Sequence, residues 1–324
     1  MADREALKAA AVQVAGRWGL DVAEIELLSM TENAVFGINT VDGDRAVLRM
    51  HRPGYNTRAQ MESELVWLES LRTAGLDAPA PRHTVDGEAY VAVAVGGAVR
   101  QVGVIDWVDG VALEAVLQKD RSLVEDHYRR LGSIMARIRA HAERWDPPPG
   151  FDRRRWDAEG LVGDDPLWGR FWAVSALTHG QRDVFSRARR VLHDRLAALP
   201  LDRSVFGLIH ADLHLTNILA SDDRLVVIDF DDAGFGWYPY EMAVALQPVV
   251  DEPWFDDARR ALIDGYRNVH PVSDDELNWL PMFITVRSLI LVGWLDARPE
   301  LGLGEQLPEL IADAERDVEQ FLSS

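Results

Sequence analysis

His210-Ala-Asp212-Leu-His214-Leu-Thr-Asn217, with the apolar run Leu225-Val-Val-Ile-Asp229-Phe230 shortly after it, decides how this chain is read. The pattern is H-x-D-x-x-x-x-N, then an aspartate near the end of a strand-like segment. These residue types at this spacing are the parts that phosphoryl transfer needs. An aspartate, here Asp212, orients an acceptor hydroxyl and takes its proton. An amide and a carboxylate, Asn217 and Asp229, offer oxygens to Mg²⁺, a hard cation that prefers carboxylate, amide and phosphate ligands. Asp229 closes an apolar run, where a carboxylate is costly without a cation. Two other readings account for fewer residues. His210, Asp212 and His214 alternate, so an extended segment would set them on one face as a transition-metal site, but Asn217 then has no role. A polar loop in which Asp212 and Asn217 merely form turns leaves Asp229 unexplained.

At 324 residues and 48% hydrophobic, the chain can bury a full core, and its length suggests two lobes. The absence of cysteine excludes disulfides, a thiol nucleophile and cysteine-based metal sites. The start, MADREALKAA, is charged and lacks the apolar centre of a signal peptide. The longest apolar run, Met282 to Leu295, is interrupted by Arg287 and reads as too short to span a bilayer. A cytoplasmic protein with no membrane partner is therefore expected. The net charge of −19 argues against a nucleic-acid partner, which needs clustered Lys and Arg. It suits a neutral or cationic ligand better than an anionic one. Lysine occurs only at Lys8 and Lys119 against many arginines, a bias of coding composition that bears on the phosphate grip, since kinases usually hold ATP phosphates with a lysine.

Hydrophobic spacing predicts an N-terminal helix over 2–18, then strands near 23–29, 34–41 and 45–51. Thr57-Arg-Ala-Gln60 is a capping box opening a helix over 57–73, closed by Gly75, with Pro79 and Pro81 barring its return. Strands near 82–85, 89–95 and 99–108 complete a small sheet. After Asp109-Gly110 the pattern turns helical: 123–145, then a Pro147–Gly150 break and a Trp-rich insert to about Trp172. Helices near 181–198, 240–247, 254–268, 274–296 and 305–322 follow. The expected fold class is α+β: a sheet lobe with one packed helix over 1–103, a hinge over 104–109, and a larger helical lobe over 110–324. A nucleotide such as ATP is expected in the cleft between such lobes.

The helix 57–73 carries an apolar stripe of Met61, Leu65, Leu68 and Leu71 with Glu64 inside it. An inward glutamate needs a partner, and Arg49 on the preceding strand is placed to supply it. An arginine there can bridge a carboxylate and nucleotide phosphates through its planar fork. The segment Thr31-Glu-Asn33-Ala-Val-Phe36-Gly37 between the first two strands is the candidate phosphate cover, with Thr31 and Asn33 named. Ile105 and Trp107 mark the inter-lobe segment that would meet adenine.

These motifs resemble the aminoglycoside phosphotransferase and choline kinase-like superfamily, and within it the bacterial group of type II homoserine kinase and stress-response kinase A. The resemblance spans nearly the whole chain: Glu32-Asn33-Ala-Val-Phe36, Val47-Leu-Arg49-Met-His-Arg-Pro-Gly54, Ser63-Glu64-Leu, the His210–Asn217 block and Ile228-Asp229-Phe-Asp231-Asp232. It implies a protein-kinase-like fold, ATP and Mg²⁺ as cofactors, Asp212 as base, Asn217 and Asp229 as metal ligands, and Arg49 with Glu64 as the nucleotide-orienting pair. His210 belongs to the same block as a supporting residue. One departure is visible. Where the family often has Asp before Leu-Ala in the next helix, this chain has Glu241, which would brace the catalytic loop with a longer arm.

The stretch from Asp229 to the helix near Tyr240 is too short for a peptide-docking activation loop, and it has no A-P-E element. A small-molecule hydroxyl is therefore the expected acceptor: an amino alcohol, a homoserine-like or an aminoglycoside-like compound. The alternatives are a Ser/Thr protein kinase of the stress-response type and, from another class, a non-catalytic nucleotide-binding regulator. Trp168, Trp172, Trp237 and Tyr238, with Asp231 and Asp232, are the candidates for an acceptor pocket that could hold an amine.

Overall fold

The computed structural model describes residues 4–30, 33–221 and 224–323; Thr31, proposed above to cover phosphates, lies outside them. The chain forms two compact units. One runs through residue 110 and includes 147–152 and 226–228; the other contains 111–146, 153–225 and the residues from 229 onward.

The first unit is an antiparallel sheet with one long helix packed in it. Strand Val22–Met30 pairs with Ala34–Thr40, which pairs with Arg45–Met50, which pairs with Ala98–Asp106. The far side of Ala98–Asp106 takes Pro81–Arg82 and Val91–Val95. Alternate residues of these strands, Phe36, Ile38, Ala46, Leu48, Val102 and Val104, close a core with Leu7, Ala11 and Val14 of the N-terminal helix. That helix, Arg4–Ala15, stops earlier than its periodicity predicts. The chain tightens at Gly16–Trp18 and turns at Gly19, and Trp18 donates to the Arg82 carbonyl. Helix Arg58–Thr73 opens with both reciprocal bonds of the capping box.

The second unit is mainly helical. Val124–Ala142 and Phe255–Arg267 are joined by the Ser133 hydroxyl donating to the Gly265 carbonyl. Helix Leu280–Asp296 is buried on nearly every side. The expected helix 274–296 is broken at Asn278–Trp279, just before Pro281. Taken together, Asp274–Asp296 is long and apolar enough to cross a membrane by length and composition, and 67% of its apolar window is buried inside the fold.

What positions the site is a small sheet that sequence patterning does not reveal. Strand Gly234–Trp237 lies between Phe206–Ile209, antiparallel, and the two-residue strand Arg155–Trp156, parallel. Phe206–Ile209 delivers the chain into the His210–Asn217 loop.

Candidate active site

The loop after Phe206–Ile209 turns sharply at Ala211, whose φ of 66° is rare for a residue with a side chain. Glu241, on helix Tyr238–Leu246, makes that turn tolerable. It is 3% exposed and accepts the N–H groups of His210 (2.6 Å) and Ala211 (2.8 Å). Burial pushes its carboxyl up to about 7, against the pull of those two N–H groups. His210 is fully buried, with its ring 4.7 Å from that of Phe230.

Asp212 is held from two sides. Oδ1 accepts from Arg287 Nη2 at 2.6 Å; Oδ2 accepts from Asn217 Nδ2 at 3.1 Å and lies 3.3 Å from His214 Nε2. Its side chain keeps 19% exposure, so a ligand can still reach the carboxylate. Burial raises its proton affinity, but His214 and Arg287 overcome that and hold the carboxyl well below the usual range. Asn217 also donates to the Asp212 carbonyl at 2.9 Å. Its N–H₂ is thus committed to the loop, and Oδ1 is the atom left to serve a cation.

Arg287 is the residue that sequence reasoning missed. It reaches Asp212 from helix Leu280–Asp296, is 4% exposed, and lies with its guanidinium 4.6 Å from the Trp168 ring centre. The signal was present: a single charge inside the apolar run Met282–Leu295 demands a buried counter-charge.

Asp229 differs from expectation. Its side chain is exposed rather than closing a buried strand, since strand Arg224–Val227 ends before it. Water therefore reaches the Asp229 carboxylate, and burial alone does not demand a cation there. Its distinction is a left-handed backbone with φ 63°, uncommon for a residue with a side chain. Phe230 ties it to the catalytic loop through the contact with His210. No group of three or more His, Asp or Glu suited to a metal occurs among the described residues, so the His210–Asp212–His214 transition-metal reading finds no support. The amide oxygen of Asn217 and the carboxylate of Asp229 are donors of the kind Mg²⁺ takes, an ion that usually binds one or two protein ligands and completes its shell with phosphates and water.

In the first unit, Arg49 Nη1 donates to Glu64 Oε1 at 2.9 Å, and the two side chains are 10% and 1% exposed. Arg49 stands opposite Gly103 in the sheet. A side chain at Gly103 would meet the Tyr90 ring at 2.6 Å, so glycine is required for that ring to lie there. Tyr90, His51, Leu65, Val104 and Ile105 line a small cleft beside Arg49. Asn33 is buried and accepts the Arg52 N–H at 3.0 Å, which fastens the first hairpin to the end of the strand carrying Arg49. Trp107 is covered by Arg45, 3.9 Å from its ring centre, and donates to Asp109.

The acceptor-pocket candidates are held by different partners. Trp237 packs on Phe206 and Phe283 and donates to the Pro200 carbonyl. Tyr238 donates to the Arg203 carbonyl beneath Arg139. Trp172 lies against Phe171 and Arg189. Asp232 is buried in an ion pair with Arg154 at 2.6 Å, and Asp231 is 4% exposed. Trp168 reaches Asp212 through Arg287 and is packed against Trp156 and Trp294. Many of these rings fill the core, the ordinary use of large aromatics.

Comparison with known proteins agrees with this geometry. Residues 24–277 match the model of APH, the phosphotransferase enzyme family. The chain is 30% identical to the microcompartment-associated aminopropanol kinase, over 98% of both chains, with a TM-score of 0.85. It is 24% identical over 318 residues to amicoumacin kinase of Bacillus subtilis, covering 95% of this chain and 90% of that protein. It is 29% identical over 262 residues to homoserine kinase of Acidiphilium cryptum, covering 78% and 73% respectively. The chain belongs to the APH phosphotransferase family, has its protein-kinase-like fold, and is an ATP-dependent phosphotransferase.

Proposed function

We propose that this chain transfers the γ-phosphate of Mg-ATP to the hydroxyl of a small amino alcohol. The observation that carries the chemistry is the tethering of Asp212. With Oδ1 on Arg287 and Oδ2 on Asn217, the carboxylate has one orientation, and its exposed part faces whatever hydroxyl arrives. A carboxylate held this far below its usual range is a weak base. It suits a loose transition state in which the hydroxyl proton leaves late, so its main contribution is to aim the nucleophile. Mg²⁺, when bound, would neutralise charge developing on the phosphates. Asn217 Oδ1 and Asp229 would hold it, and Arg49, paired with Glu64, would meet phosphate oxygens through its planar fork.

An amino alcohol is favoured among small hydroxyl compounds by the 30% identity to an aminopropanol kinase over nearly all of both chains. The net charge of −19 agrees, since it draws cations rather than anions. A protein acceptor is disfavoured: the residues after Asp229 enter a strand at Gly234 and a helix at Tyr238, leaving no loop to dock a peptide. The test is incubation with γ-labelled ATP and a panel of aminopropanol, ethanolamine, choline, homoserine, an aminoglycoside and a cell lysate. Label on an amino alcohol, faster than on every other acceptor, is expected. Preferential label on homoserine, on the aminoglycoside or on protein Ser and Thr would overturn the assignment.

A further inference from the structure

We propose that the segment Arg153–Trp156 is a clamp that sets the backbone of the metal-ligand loop, with Arg153 as a positioning residue for Asp229. The inference rests on the reading of Asp229 as a metal ligand.

The observations converge on residues 230–236. Arg153 is 4% exposed, and its guanidinium donates to three carbonyls of one turn: Phe230 (3.1 Å), Asp231 (2.7 Å) and Ala233 (2.5 Å). Arg154 pairs with Asp232 at 2.6 Å, and its carbonyl accepts the Phe235 N–H at 2.9 Å. The Trp156 indole donates to the Asp232 carbonyl at 2.9 Å. The approach is so close that a Cβ at Gly234 would sit 2.4 Å from the Arg154 carbonyl oxygen, so only glycine fits. Every carbonyl from Phe230 to Ala233 is thus taken by a donor from 153–156.

Asp229 stands immediately before this turn with a left-handed backbone, φ 63°, which is uncommon for a residue with a side chain. The donors of 153–156 fix the peptide that follows Asp229, and with it the direction in which the exposed side chain leaves the backbone. An arginine is suited to the task because its planar fork satisfies several carbonyls at once, whereas a lysine reaches them as a single point charge. A purely structural ion pair would not need to bond the backbone of consecutive residues beside a ligand.

The experiment measures Mn²⁺, in place of Mg²⁺, binding to the full chain with ADP, by loss of the free-ion electron paramagnetic resonance signal. Binding of metal-free ADP is measured in parallel. Groups that orient a metal ligand typically contribute about 10–100-fold to affinity. Arg153→Met should lose Mn²⁺ affinity within that range while metal-free ADP affinity is unchanged, and Arg153→Lys should recover part of the loss. Where Arg153→Met fails to fold by circular dichroism, Arg153→Lys decides, and wild-type Mn²⁺ affinity in it overturns the clamp. Equal loss of Mn²⁺ and metal-free ADP binding also overturns it, since that is the mark of a general structural role. Asp229→Ala separates the two levels. If it weakens Mn²⁺ binding and the Arg153 variants do not, the clamp alone is wrong; if Asp229→Ala binds Mn²⁺ normally, the metal-ligand reading fails and the clamp with it.

Discussion

Replacing Arg287 with methionine should move the acid limb of the pH–rate profile upward. Arg287 meets Asp212 at 2.6 Å from a site 4% exposed, so the charge centres are about 4 Å apart. At an effective dielectric of about 20 that attraction is about 4 kcal/mol, or roughly three powers of ten in proton affinity. Asp212 keeps 19% exposure and a second partner in His214, which reduce the expected change to about two powers of ten. The sign follows from the direction of the perturbation. In the wild type the carboxyl lies well below the ordinary carboxylate value, so its ionised form persists to lower pH than that of an ordinary carboxylate. Without the guanidinium, the ionised form is lost at higher pH. The assay is kcat/KM for the acceptor against pH, with folding followed by circular dichroism, because stripping one partner from a buried pair costs about 3–5 kcal/mol. A folded Arg287→Met variant whose acid limb coincides with the wild type would refute the electrostatic argument.

Arg49→Ala and Glu64→Ala should each raise KM for ATP, and the double variant should be scarcely worse than either, because the two side chains form one buried pair; additive losses in steady-state kinetics would show that they act separately. Asn217→Ala and Asp229→Ala should weaken calorimetric binding of Mg-ATP, with the charged Asp229 the more severe; unchanged affinity in both would assign the residues to loop structure. Glu241 ionises near 4.5 in the unfolded chain, and burial pushes it up to about 7 in the fold. Stability should therefore fall as pH rises between those values, by about 3 kcal/mol from this group. Glu241→Gln should flatten that part of a urea-melt series, and an unchanged slope would remove Glu241 as its source.

The legible parts of the site are those written in local spacing. H-x-D-x-x-x-x-N names Asp212 and Asn217, because the loop that joins them is short and its bonds are internal. Glu64 could be read as inward from the helical period of Met61, Leu65, Leu68 and Leu71, and its partner lay on the strand before it. The illegible parts are contacts between distant segments. Arg287 lies 75 residues from Asp212, and its only trace was a charge in an apolar run. Strand Arg155–Trp156 is two residues long and too short to carry a period, so the clamp on 230–236 left no pattern. Asp229 was misjudged as buried because the apolar run was extended two residues past the end of Arg224–Val227. The aromatic residues were visible as a group, but composition does not say which rings face a ligand and which, like Trp237, fill the core.

The central claim is that Asp212 directs an acceptor hydroxyl onto the γ-phosphate while other residues hold the nucleotide. Asp212→Asn tests it most directly, with transfer of label from ATP to aminopropanol and calorimetric affinity for Mg-ATP measured on the same preparation. Transfer should fall by about 10²–10⁴ while nucleotide affinity stays near the wild-type value. Transfer at the wild-type rate, or a loss of nucleotide affinity as large as the loss of rate, would contradict it.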